Sequence, residues 1–172
     1  MQLLKTHYHP KLNPAEDKTM FTRWCTRSIA LQGSSILLMY TARYDDYSLP
    51  GGGLDEGEDQ IEGMKRELRE ETGAQNISNI QAFGVYKEYR PWYKPDFDVI
   101  HIISYCYTCA INRELGQSNM ESYEIKNGMK ALWVDIHEAI AHNKTTMANS
   151  NKKGMSIERE TFLLELIAEK LM

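Results

Sequence analysis

The sequence predicts an α/β sandwich, and three observations carry that expectation. Strand-like and helix-like periods alternate along the chain. A nearly continuous apolar run, Ile36-Leu37-Leu38-Met39-Tyr40, marks a buried strand. Two helical stripes, Ile61/Met64/Leu68/Thr72 and Phe162/Leu163/Leu166/Ile167/Leu171, provide faces to pack against it. With 172 residues and 42% hydrophobic content, a single globular domain with a substantial core is expected. No apolar run approaches membrane-spanning length, and Met1-Gln2-Leu3-Leu4-Lys5 leads into polar sequence without a signal-peptide pattern. The expected location is therefore the cytoplasm, with no membrane partner. A net charge of −4, spread along the chain in both signs, argues against extended nucleic-acid binding and suits a small phosphorylated metabolite.

Taken in order, residues 1–20 carry Pro10 and Pro14 without a clear period and read as an N-terminal arm with room for one short strand. His7 and His9 form an HxH pair, but no third ligand is suitably spaced, so a packing or surface role is expected. The remaining residues, 21–172, form the single domain. Thr22–Gln32 reads as a strand, Gly33-Ser34-Ser35 as a turn, and the apolar run as its hairpin partner. Arg43 lies near the glycine-rich loop that follows, placed equally well to meet a substrate phosphate or to pair with Asp45 or Asp46. After the first helix, 80–88 alternates as a strand. Residues 86–95 are dense in aromatics and cations, and Pro91 and Pro95 mark them as a loop. Rings and guanidinium groups suit a nucleobase and phosphate, so Tyr89, Arg90 and Trp92 are candidate substrate contacts. A dimer contact or plain surface would use the same residues.

Residues 98–110 read as a long strand, 112–129 as a polar loop and 130–134 as another strand. Residues 135–142 then read as a short helix with Asp135 near its N-cap, and 143–154 as a polar loop. Ser156 stands where it would cap the final helix, 158–171. Cys106 and Cys109 form a CxxC inside a strand. Residues three apart on a strand face opposite ways, so buried reduced thiols are expected rather than a shared zinc.

The segment from Gly52 to Ala74 is the informative one. It opens in glycines and acidic residues and continues as a helix from Glu58. Glu67, Glu70 and Glu71 project along one side of that helix. Like charges at i,i+3 and i,i+4 destabilise a helix unless something neutralises them, and a hard divalent cation bound by carboxylate oxygens does so. Lys65, Arg66 and Arg69 could also balance the charge on a solvated face. Gly52, five residues, Glu58, seven residues, then Arg66-Glu67-Leu68-Arg69-Glu70-Glu71-Thr72-Gly73-Ala74 resembles the signature of the Nudix (MutT-like) hydrolases, G-x5-E-x7-R-E-U-x-E-E-x-G-U. The one departure is Ala74 in place of a bulkier aliphatic residue, a matter of packing. Tyr47-Ser48-Leu49-Pro50-Gly51 resembles the family's usual lead-in.

The resemblance implies a Nudix fold, an α/β/α sandwich with a central mixed β-sheet. It also implies Mg²⁺-dependent hydrolysis of a pyrophosphate bond in a nucleoside diphosphate derivative, with Mn²⁺ as an alternative cation. By motif position Glu67, Glu70 and Glu71, with a main-chain carbonyl such as that of Gly52, would hold metal. Arg66 would orient Glu67, with Glu58, Glu62 and Glu70 as competing partners. Gly52, Glu58 and Gly73 would shape the loop. The general base is either a box glutamate or, in the loop before the last strand, Glu124 with Glu121 second. Branch markers for substrate do not fit: Tyr89 and Pro91 fall fifteen and seventeen residues after Ala74. NTPs, modified nucleotides, ADP-ribose and nucleotide sugars stay open. The alternative function is a catalytically silent nucleotide sensor, and a homodimer is expected from family habit alone.

Overall fold

The computed structural model describes residues 1–172. Seven strands and four helices follow in the order β1 (Leu3–Tyr8), β2 (Met20–Gln32), β3 (Ser35–Thr41), β4 (Asp46–Ser48), α1 (Gln60–Thr72), β5 (Ser78–Pro91), β6 (Val99–Ala110), α2 (Ser122–Lys126), β7 (Met129–Asp135), α3 (Ile136–Asn149) and α4 (Ile157–Leu171). The strands form one mixed sheet in the order β1-β5-β6-β2-β3-β4, with β7 also paired to β3. β2 pairs parallel with β6 from Met20 to Ala30, and only Leu31 and Gln32 pair antiparallel with β3. The expected hairpin is therefore confined to its tip. The rest of β2 is a central strand that joins the two halves of the sheet.

Strand alternation sorts the core onto two faces. Ile29, Ile36, Leu38 and Cys106 pack with Ile136, Leu163, Leu164 and Ile167 of α3 and α4. Ala30, Leu37, Tyr107 and Cys109 pack with Met64, Leu68 and Ala74 of α1 and its exit. The two CxxC sulfurs thus lie on opposite faces, buried and unbonded to one another. Burial pushes their thiols up to about 12 and about 11. No helix is long and apolar enough to cross a membrane.

Several boundaries differ from expectation, each for a tertiary reason. β5 runs on to Pro91 rather than turning at residue 86. Its antiparallel partner β6 holds register from Tyr86↔Ser104 to Pro91↔Val99, and Pro91 is the strand's last residue, where little donor capacity is lost. α3 continues past residue 142 to Asn149. Asn143 is buried and bridges the Tyr47 backbone in both directions, while the Thr146 hydroxyl donates to the Asp45 carbonyl. Polar residues that read as loop are instead fastening a helix to the β4 turn. α2 is a single short helix inside the expected polar loop. In the N-terminal arm, β1 adds to the sheet edge in parallel with β5.

Candidate active site

α1 starts because Asp59 accepts hydrogen bonds from the Ile61 and Glu62 amides, and it stops at Gly73, which adopts the left-handed conformation at φ 70°. Between these caps the helix buries Met64, Leu68 and Thr72 and turns its glutamates toward the loop that follows β4. That loop is tied to β2: the Thr26 amide donates to the Gly52 carbonyl and the Ser28 amide to the Pro50 carbonyl. The glycine at 52 has a steric cause. A Cβ there would sit 2.6 Å from Glu67 Oε2, so any side chain would displace the carboxylate.

Arg66 is the hub of the acidic cluster. It donates twice to Glu58 (2.8 and 2.9 Å), to Glu67 (2.8 Å), to Glu70 (3.2 Å) and to the Gly53 carbonyl (3.1 Å). Glu62 pairs with Lys65 instead. The forked bond to Arg66 holds the Glu58 carboxyl down at about 2. Glu71 is different: it is 4% exposed and accepts only the Gly51 amide, at 2.7 Å. Burial, with Glu124 and Glu67 nearby, pushes its carboxyl up to about 8. Glu124, 6% exposed, is held by α2, where it accepts the Glu121 amide at 2.7 Å and faces the Tyr123 hydroxyl at 3.3 Å. Burial also raises the Glu67 carboxyl, with Glu70 and Glu124 adding to it and Arg66 opposing. Glu121 is exposed at the N-cap of α2 and lines the same cleft as Glu67, Glu70 and Glu124.

This cleft opens into a cavity of about 720 Å³ that shares Arg23, Gly52, Gly53, Tyr123 and Glu124 with it. Glu71 lines the cavity, which also carries the guanidinium groups of Arg27, Arg90 and Arg159. Arg159, 3% exposed, donates to Glu88 and Glu160, and Arg90 lies 3.5 Å from Glu88. Arg27 Nε is buried without a hydrogen-bond partner, 3.7 Å from Glu160.

Of the four residues expected to contact substrate, only Arg90 lines this cavity. The continued β5 strand turns Glu88 and Arg90 to one face and Tyr89 to the other, where it stacks between Tyr8 and His101. Trp92 packs edge-on against Phe21 and donates to Asp96, and its neighbour Tyr93 reaches the cavity instead. Arg43 donates to Asn127 and lies over the Tyr44 ring. Asp46, expected only as a partner for Arg43, lines the cavity instead, and Arg23, Arg27, Arg159 and Glu160 were not anticipated. Two signals exist for them. Arg23 and Arg27 interrupt a central strand, and Arg159 and Glu160 fall one turn before Leu163 on the apolar stripe of α4.

The all-oxygen donor set suits a hard divalent cation. Of Glu67, Glu70, Glu71 and Glu124 only the first two meet a guanidinium, that of Arg66, and the space a Cβ at Gly52 would fill belongs to Glu67. The carboxylates are not drawn to a common point. Glu67 and Glu70 share Arg66 Nη1.

A family profile described as NUDIX domain matches residues 22–156. The chain is 45% identical over 51 residues to an RNA pyrophosphohydrolase of Bartonella quintana, a match covering 30% of this chain and 26% of that protein. It is 40% identical over 57 residues to an RNA pyrophosphohydrolase of Bartonella henselae, covering 33% of this chain and 30% of that protein. The matches therefore span less than a third of the curated relatives. A solved structure titled NUDIX hydrolase from Nitrosomonas europaea superposes with a TM-score of 0.58 at 16% identity, covering 87% of this chain and 91% of that one. At that identity the likeness bears on the fold.

Proposed function

The chain belongs to the Nudix family, and from that premise we propose that it hydrolyses a pyrophosphate bond in a nucleotide derivative with a divalent cation, Mg²⁺ first. The observation that supports this most is the contiguity of an acidic cleft with an arginine-lined cavity large enough for a nucleotide. Glu67, Glu70 and Glu71 would hold the cation, with Glu124 as a further ligand or the base. When bound, such an ion positions the phosphates, stabilises developing negative charge and acidifies water.

The chain's own groups divide the remaining work. Arg66 orients Glu67 and Glu70. Arg23, Arg27 and Arg90 neutralise the phosphates from the β2 and β5 side. A water oxygen attacks phosphorus, its proton passes to a carboxylate, and the anhydride P–O bond breaks with its electron pair leaving on the departing phosphate. Glu124 is preferred over Glu121 as that carboxylate, because it is buried, fixed by two hydrogen bonds and close enough to Glu67 and Glu71 to raise both. The Gly52 carbonyl already accepts the Thr26 amide, which leaves it one lone pair for a cation.

The test is release of phosphate and pyrophosphate from NTPs, oxidised NTPs, ADP-ribose, nucleotide sugars and dinucleoside polyphosphates, with Mg²⁺ and with chelator. Glu71→Gln should lower turnover by more than about 10²-fold, above the range for a residue that merely supports a ligand. Glu124→Gln should cost far more than Glu121→Gln. A panel left intact by the wild type, with tight nucleotide binding, would favour the silent sensor. The names of the Bartonella relatives and a 79%-exposed Tyr93 at the cavity support a second substrate, a 5′-phosphorylated RNA end. A triphosphorylated oligonucleotide belongs in the same panel.

A further inference from the structure

One carboxylate in the cavity has no role in that chemistry. Asp46 lies on β4, is 6% exposed and lines the cavity, yet no hydrogen bond or ion pair reaches its carboxyl group. Its acidic neighbour Glu160 is saturated, accepting the Leu49 amide on one oxygen and Arg159 on the other. Asp45 adds a second negative charge, while His142 and Arg159 offset it only in part. The Asp46 oxygens open onto the cavity, and a carboxylate crowded by another carboxylate gains from any donor that the cavity brings to it. A group left in that condition on a cavity wall is one that a ligand completes. Asp46 is also five residues from Gly51, whose amide holds Glu71. An extended segment of that length spans at most about 17 Å, so the unpaired carboxylate and the hydrolytic glutamates are within reach of one nucleotide.

A carboxylate accepts hydrogen bonds and donates none. Of the common bases only guanine offers two adjacent N–H donors, N1–H and the exocyclic amine, on one edge. Adenine and cytosine set an acceptor nitrogen beside their amine, and a carboxylate repels it. Apolar cover for a flat ring is available from Met129, Met155 and Tyr93 on the same cavity.

We propose that Asp46 is a specificity-determining residue that accepts the paired N–H donors of a guanine edge, which makes guanine nucleotides the favoured substrate class. This rests on the nucleotide-hydrolase reading but is tested apart from it, by equilibrium binding without divalent cation, where no turnover occurs. Calorimetry with GDP, IDP, dGDP and ADP separates the groups: IDP lacks only the exocyclic amine and dGDP only the 2′-hydroxyl. The wild type should bind GDP about ten- to a hundredfold tighter than IDP or ADP, and GDP and dGDP nearly alike. Asp46→Asn, which replaces one acceptor with a donor at the same volume, should bring the GDP/IDP ratio close to one.

Equal binding of GDP and IDP by the wild type overturns the proposal, and that comparison needs no variant. So does discrimination against dGDP alone, which would assign Asp46 to the sugar, or a GDP/IDP preference that survives Asp46→Asn. A protein that separates GDP from IDP through Asp46 but hydrolyses nothing keeps this inference and loses the hydrolase reading. Turnover without base discrimination does the reverse.

Discussion

Two charge clusters sit side by side in this molecule and are built on opposite plans. On α1, α2 and the loop before α1, three carboxylates, Glu58, Glu67 and Glu70, gather around one guanidinium, Arg66, and two more, Glu71 and Glu124, stand beside them without one. Across β2, β5 and α4, three guanidinium groups, Arg27, Arg90 and Arg159, meet two carboxylates, Glu88 and Glu160. The first is acidic, partly open and short of positive charge. The second is close to neutral within itself and buried. An uncompensated cluster is a place for a ligand, whereas a compensated one holds the fold together and presents whatever donors are left over. Arg27, with its unpaired Nε, is where the second cluster still has something to offer.

Removing the hub of each cluster should separate the two plans most clearly. Arg159→Met leaves Glu88 and Glu160 as buried charges without their main partner and should cost about 3–5 kcal/mol in urea or guanidinium unfolding. Arg66→Met should cost about 1 kcal/mol or less, because Arg66 and Glu70 are partly solvated. Its main effect should fall on activity, about 10–100-fold for a group that orients a ligand. Comparable losses of stability from both variants would break the contrast.

The same contrast explains what could be read without coordinates. The α1 cluster is local: Glu58, Arg66, Glu67, Glu70 and Glu71 lie within fourteen residues, the last four at helical spacing between an N-cap Asp59 and a C-cap Gly73, and Glu58 just before that N-cap. Periodicity and the Nudix signature expose it. The second cluster joins positions 27, 88, 90, 159 and 160, and no local rule brings them together. Recognising it depends on register. Once β5 is known to continue to Pro91, alternation alone puts Arg90 with Glu88 and sends Tyr89 to the opposite stack. Proline spacing suggests a loop there, and pairing with β6 outweighs it. Similarly, Asn143 and Thr146 look like loop residues until the β4 turn they bind is in place. The sheet-and-helix architecture was legible because burial writes a period into each element. The wall of the cavity was not, because its charges pair across elements.

Asp46 stands at the boundary of the compensated cluster and gives a smaller, pH-dependent test. Burial first, then Glu160 and Asp45, push its carboxyl up to about 6 from the ordinary 3.8, against the pull of His142 and Arg159. A carboxyl raised on folding contributes stability that is fully present below its unfolded pKa and is lost as pH rises through its folded value. The window is therefore roughly pH 4 to 6. Above it the wild type carries the cost of a buried charge, and Asp46→Asn should be more stable by about 3 kcal/mol at pH 8. The difference should vanish near pH 3.5. A variant no more stable than wild type at pH 8 would mean that Asp46 has a partner after all.

The smallest expected effect tests whether the α1 cluster is in fact short of a cation. A cation that binds only the folded protein stabilises it by RT ln(1 + [L]/Kd), about 1.4 kcal/mol at ten times Kd. For a chain of this length that is a rise of about 3–6 °C in Tm. Mg²⁺ should produce it, and NaCl at the same ionic strength should not, since general screening weakens exposed pairs such as Lys65–Glu62 without filling a site. Glu71→Gln should blunt the rise, because it removes a carboxylate that neither Arg66 nor Lys65 neutralises. Arg159→Met, far less stable to begin with, should still gain the same increment, because its lost pairs belong to the other cluster. Equal responses to Mg²⁺ and NaCl would mean that Arg66 alone satisfies the glutamates, and the two clusters would then differ in exposure rather than in plan.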